Sequence, residues 1–463
     1  MRRCSQLWFL PFLLLAQVYA QDIRFELGFN QEIVANHWNP LVLELRNHPP
    51  VTLRVAIDQG SLKEGEIPMT YEARLPRSQG FSHFEDELFL PEWRSISWVV
   101  ESEERILASG SFPRRQAETT PLALILSNNL ASWADLLPDH RLTEALSHQL
   151  PERVAAYDGV EILIMDGTVT APSPEAIISA ATAGTRVIFF EPLPSSYASL
   201  LKLTESSSRL GAGYLLKVDR TSLKSALLAK QSLDREALLA AFDDEALTDF
   251  PRLTRVGPVL VLASLFSAAI LLIFRFLPST AVTTSIVLSL IASILAWSWL
   301  KPYPPVKEQA RTLEIAGGDL ALEQGLYSII TLPSASKALP FASRIDPLLE
   351  HRQAPNLTLL ELSRWSNLIA LKKPRLVQAK FQLIPSDDGL ILRNLSAQTL
   401  QAVYVKGRGL QSSLAPDSQL FVKDGGLELP PGALERIAPF LPNGTALAIA
   451  GDTIFVSLPE MSP

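Results

Sequence analysis

Thiols are almost absent from this sequence. Cys4 is the one cysteine in 463 residues, so disulfide frameworks, four-thiolate zinc sites and iron-sulfur clusters are excluded by counting. Histidine is scarce as well, six in all, with none between His148 and His351. Positive charge is not in excess: 41 Lys and Arg against 48 Asp and Glu give a formal charge of -7. Such a chain has no basic face broad enough to release counterions from a phosphate backbone, and nucleic acid is not expected as a partner. Charge of either sign is thin, at 19%, while 47% of residues are hydrophobic. That balance excludes a disordered tail and implies that part of the chain meets lipid. At roughly 150 residues per domain, the length suggests about three domains.

Residues 1–20 have the three parts of a secretory signal peptide: Arg2 and Arg3, the apolar run Leu7 to Ala16, and small residues around Ala20. Cys4 precedes the apolar core instead of ending it, so a lipoprotein signal is not expected. Two further apolar runs stand out. Val256 to Phe274 is uncharged over a span of about 28 Å as a helix, close to the thickness of a bilayer core. Ala281 to Leu300 is also uncharged, with Trp297, Trp299 and Tyr303 at the level of an interfacial belt. Together they predict a two-helix transmembrane hairpin anchored in the lipid bilayer. Export of the first segment would put the Arg275 loop inside and both large regions outside the cell membrane. Arg252, Arg255 and Lys301 at the outer ends run against the positive-inside rule, and the signal peptide decides the orientation.

The expected fold class is multidomain α and β. Residues 21–118 show short alternating segments punctuated by turns, which predicts an N-terminal β-sandwich. Residues 119–250 change character. Leu122 to Leu126, Val160 to Met165 and Arg186 to Phe190 are continuous apolar runs, and Ser173-Pro174-Glu175 is an N-cap signature leading to a stop at Gly184. Strands apolar on both faces around a helix predict a flavodoxin-like parallel α/β domain. Residues 305–463 form a C-terminal β-rich region, with one short helix whose Leu434, Ile437, Ala438 and Leu441 share a face.

The stretch Tyr157 to Gly167 (YDGVEILIMDG), followed by a helix and then Gly184 to Phe190 (GTRVIFF), resembles the central part of class I glutamine-amidotransferase-like domains. The whole arrangement is similar to an uncharacterised class of bacterial envelope membrane proteins carrying such a domain in degenerate form. That resemblance implies association with other membrane or envelope proteins, including those linked to MoxR-type ATPases. In the amidotransferase family a cysteine nucleophile follows the third strand on a sharp elbow. Here Phe190 is followed by Glu191-Pro192-Leu193-Pro194-Ser195-Ser196, with neither cysteine nor glycine pair, and the activating histidine is missing too.

No catalytic set is therefore expected, and no cofactor or metal. His83, Glu85 and Glu87 alternate along one strand, but a second histidine is lacking, and a solvated strand edge is the simpler reading. Asp158, Asp166 and Glu191 are the candidate ligand-binding residues, placed near the carboxyl ends of parallel strands where open α/β sheets bind ligands. The functional expectation is a membrane-anchored, extracytoplasmic, non-catalytic binding or scaffold protein engaging a protein partner or small ligand. The alternative is an envelope hydrolase or amidase using a carboxylate or a serine such as Ser195 or Ser196.

Overall fold

The computed structural model describes residues 23–58, 69–103, 105–113, 121–127, 130–165, 172–190, 207–218, 233, 237–238, 241–242, 256–276, 282–287, 289, 306–331, 335–345, 351–362, 366–386, 389–423 and 432–460. The expected signal peptide, with Cys4, lies outside the described residues.

Seven strands open the fold: β1 (Ile23–Leu27), β2 (His37–Arg46), β3 (Val51–Asp58), β4 (Met69–Leu75), β5 (Phe81–Leu90), β6 (Ser95–Ser102) and β7 (Arg105–Pro113). Strands β1, β2 and β5 form one antiparallel sheet, and β4, β3, β6 and β7 belong to a second. Every second residue of β3 is buried, Val51, Leu53, Val55 and Ile57, and these pack against Leu41, Leu43 and Leu45 of β2. Period-two burial on two facing sheets is what makes this a sandwich.

The second unit holds β8 (Leu122–Leu126), β9 (Arg141–Glu144), β10 (Val160–Met165), β11 (Arg186–Phe190), β12 (Ser207–Leu210) and β13 (Gly213–Val218). Their sheet order is β12-β13-β11-β10-β8-β9, parallel throughout except for the edge strand β12. Helix α1 (Pro174–Ala183) crosses between β10 and β11. Ser173 Oγ accepts the Ala176 amide at 3.2 Å, Pro174 opens the first turn, and Gly184 ends the helix at φ 114°, a left-handed conformation that glycine adopts without strain. The central strands are apolar on both sides, toward Ala176, Ile177 and Ala180 of α1 on one face and toward Trp133 and Leu137 on the other.

The remaining strands are β14 (Val306–Gly317), β15 (Leu320–Thr331), β16 (Ala335–Leu339), β17 (Ser343–Ile345), β18 (His351–Ala354), β19 (Leu357–Leu362), β20 (Ser366–Lys372), β21 (Arg375–Gln378), β22 (Phe381–Ser386), β23 (Gly389–Asn394), β24 (Gln401–Val405), β25 (Gly409–Leu410), β26 (Gln419–Phe421), β27 (Ala446–Ala450) and β28 (Thr453–Ser457). A nine-stranded sheet is built around the β14–β15 hairpin. Its Leu313, Ile315, Leu322 and Leu326 join one continuous core with the α1 face of the parallel sheet. Three strands leave that unit: β16, β19 and β18 extend the sandwich sheet, with β18 running parallel to β4 through Arg352 opposite Thr70 and Gln353 opposite Tyr71. The late helix is short, ending its α-helical part at Ile437 and finishing as a 3₁₀ turn, yet Leu434, Ile437, Ala438 and Leu441 are all buried.

The transmembrane hairpin expected over 256–274 and 281–300 is corrected by the structure. Helix α2 runs over Val256–Phe276. The second run is described as helix over 282–287 and at 289. Among the described residues no helix is long and apolar enough to cross a membrane. The expected membrane anchor, the membrane and transmembrane-helix description, and the localisation in the cell membrane with both large regions extracytoplasmic fall with it. The fold class is corrected likewise, from a mixed chain divided by a hairpin to a mostly β chain with 28 described strands and one parallel α/β unit.

Candidate functional site

The outward face of the β1-β2-β5 sheet carries charge in register. Antiparallel pairing sets Arg24 opposite Glu44 and Glu44 opposite His83, while the next row places Glu26 and Glu85 on either side of Val42. Arg24 reaches Glu26 Oε1 at 2.5 Å and Glu44 Oε2 at 3.5 Å. His83 lies between two carboxylates, its Nδ1 3.5 Å from Glu44 Oε1 and its Nε2 3.8 Å from Glu85 Oε2.

Facing this row from the parallel unit is the segment Glu144 to Pro151. The two surfaces line a cleft of ≈ 130 Å³, with Glu144 and His148 from this segment and Gly28, Phe29 and Pro40 from the sandwich among its walls. Burial pushes the Glu85 carboxyl above its ordinary range and the charge of Glu87 adds to the rise, against the pull of Arg153 and His83. Hydrogen bonding to Glu26 raises the Arg24 guanidinium. Four carboxylates, Glu26, Glu44, Glu85 and Glu144, thus share the cleft with one guanidinium. Its field favours a cation.

Glu87, on the same face of β5 as His83 and Glu85, does not reach that cleft. Its side chain is 1% exposed, and Lys373 Nζ donates to its Oε2 at 2.7 Å and to Asp86 Oδ1 at 2.8 Å. Tyr71 Oη donates to Asp86 Oδ2 at 2.7 Å, Arg153 Nη1 stands 3.5 Å from Glu87 Oε2, and Lys373 Nζ lies 5.6 Å over the Trp38 ring. Burial raises the Tyr71 phenol strongly, with Asp86 adding to it. For Arg153, burial acts downward but the charges of Glu87, Asp86 and Glu85 outweigh it. This cluster ties the sandwich, the parallel unit and the C-terminal strands together. Among the described residues no group of three His, Cys, Asp or Glu side chains converges to hold a metal ion.

Of the three carboxylates singled out from sequence, Asp166 and Glu191 lie outside the described residues. Asp158 caps the 3₁₀ turn Val154–Tyr157 and precedes β10, so it sits at the amino end of that strand instead of the carboxyl end. Its Oδ2 accepts the Trp38 amide at 3.1 Å and lies 3.2 Å from His37 Nδ1. Its side chain is 9% exposed, and it locks the start of β2 onto the parallel unit. The structure therefore does not bring the three together at one described site. Sequence reasoning met His83 and Glu85 as a possible strand edge but missed the cleft, because Glu144 and His148 come from a segment whose apposition has no local signal. No protein-family model matches the chain, and no curated protein matches it.

Proposed function

We propose that this chain is a non-catalytic binding protein whose acidic cleft receives a cationic group, presented by a protein partner or a small ligand. The observation that carries the reading is the convergence of four carboxylates from two separately built units on one space of ≈ 130 Å³. That space accepts an ammonium or guanidinium head group, and carboxylates held by strand register are pre-arranged to pair with it. Recognition of this kind needs no nucleophile, which agrees with the lack of any thiol beyond Cys4.

Calorimetric titration of the full chain with spermidine and with a tri-lysine peptide tests the reading. Binding of at least one is expected at low salt, weakened about tenfold in the E44Q/E85Q double variant. No binding of either probe, or equal binding in the double variant, overturns it. Preference for the peptide points to a protein partner, and preference for spermidine to a small amine.

A further inference from the structure

A second polar row crosses the parallel sheet at its amino end. Arg209 of β12 pairs with Tyr214 of β13, Tyr214 pairs with Arg186 of β11, and Arg186 pairs with Ile162, next to Glu161 of β10. Arg186 and Tyr214 are on the face whose deeper positions are Ile188, Phe190 and Leu216. The register of β10 shifts between Val160 and Ile162, an irregularity that re-aims Glu161 so that it forms an ion pair with the Arg186 guanidinium. His140 Nε2 lies 3.3 Å from the other oxygen of Glu161. Glu161 is thereby committed to Arg186 and His140.

Among the described residues Arg209 has no such carboxylate. The residue is 5% exposed and its Nε has no hydrogen-bond partner among the described residues. Burial draws its guanidinium below the ordinary arginine range, opposed by neighbouring Tyr214 and by no acid among the described residues. Tyr214, 1% exposed, keeps its hydroxyl oxygen beside the Arg186 guanidinium, which leaves the O–H to donate. The β14–β15 turn closes over the arginine stem: a Cβ on Gly317 would lie 2.7 Å from Arg209 Cγ, and the Gly211 amide donates to Gly317 O at 3.1 Å.

A buried lysine can shed its charge, but a guanidinium cannot, so a buried arginine without a carboxylate needs an anion from elsewhere. Its planar fork matches the two oxygens of a carboxylate or phosphate group, and a phenol hydroxyl beside it adds a donor. We propose that Arg209 and Tyr214 form a binding site for a small oxyanion, a phosphate or carboxylate group, at the amino end of the parallel sheet. The site is separate from the acidic cleft, which selects the opposite charge.

Thermal unfolding of the full chain is followed in rising sodium phosphate and, separately, sodium acetate, each against sodium chloride at equal ionic strength. Wild type is expected to show a saturable rise in Tm with at least one anion. The R209M variant, close in volume and without charge, is expected to bind at least about tenfold more weakly, and Y214F several-fold more weakly. The arm with the larger response tells phosphate from carboxylate. Absence of a saturable rise in wild type overturns the proposal. So does an equal rise in R209M, since phosphate also stabilises proteins by general exclusion from their surfaces. Should R209M fail to fold, Y214F decides: unchanged anion affinity in that variant overturns the site.

Discussion

Lys373 and Glu87 lie 286 positions apart in the chain and meet at 2.7 Å, with the Glu87 side chain 1% exposed. The contact pins a C-terminal strand unit to the sandwich, and Asp86 and Arg153 complete a buried cluster around it. Removing Lys373 leaves the buried Asp86 and Glu87 carboxylates with the half-exposed Arg153 at 3.7 and 3.5 Å as their remaining cation, and breaking a buried pair from one side costs up to about 3–5 kcal/mol.

The substitution K373M is expected to destabilise by a good part of that amount, read as a lower midpoint of urea unfolding. Removing the two carboxylates as well, in D86N/E87Q/K373M, is expected to recover much of the loss, because the orphaned charges are gone. Failure of the triple variant to recover any stability contradicts the charge-pair account and assigns Lys373 a packing role.

Much of the parallel unit was readable from residue pattern. Leu122 to Leu126, Val160 to Met165 and Arg186 to Phe190 are strands of one parallel sheet because strands buried on both faces have no polar alternation to hide them. Ser173, Pro174 and Gly184 announce their helix by local chemistry alone. Long-range pairings carry no such mark. Gln353 lies beside Tyr71 through a parallel contact between segments that share no turn, so a separate C-terminal region was expected where three strands complete the sandwich sheet. Nothing local marks Arg209, after Ser207 and Ser208, as buried; the Gly317 turn, more than 100 residues on, lies against its stem. The hairpin expectation over Val256 to Phe274 and Ala281 to Leu300 departs from the structure, where no helix among the described residues is long and apolar enough to cross a membrane.

The helix cap offers a local test. Ser173 Oγ accepts the Ala176 amide at 3.2 Å, and alanine at that position leaves the amide without its partner. S173A is expected to cost about 1 kcal/mol, and S173D to restore most of it, with Glu175 already placed for the helix dipole. Equal stability of S173A and wild type in urea unfolding contradicts the cap.

Two glycines separate steric need from tolerance. A Cβ on Gly213 would lie 2.4 Å from Ala181 O and 2.5 Å from Thr185 O, backbone atoms that cannot rotate away. A Cβ on Gly80 would meet nothing within 4 Å. G213A is expected to lose about 1–3 kcal/mol or more through overpacking, and G80A to stay within about 0.5 kcal/mol. Matching thermal midpoints for the two variants rule out the close approach of β13 to the end of α1.

Glu161 sets a pH dependence whose sign follows from its partners. Hydrogen bonding to His140 lowers its carboxyl, burial opposes, and the charge of Arg186 lowers it further, so the folded state holds the proton less tightly than the unfolded chain does. The unfolded carboxyl titrates near 4.5. Stability from this group is therefore complete above that pH and is lost as pH falls through the lower folded value. Urea midpoints collected between about pH 3 and pH 7 are expected to drop on the acid side in wild type, with a shallower drop in E161Q, which has no proton to take up. H140N in the same series separates the hydrogen bond from His140 from the charge of Arg186. An acid limb that is equally steep in wild type and E161Q shows that other carboxylates control it and that the row across the sheet contributes no proton linkage.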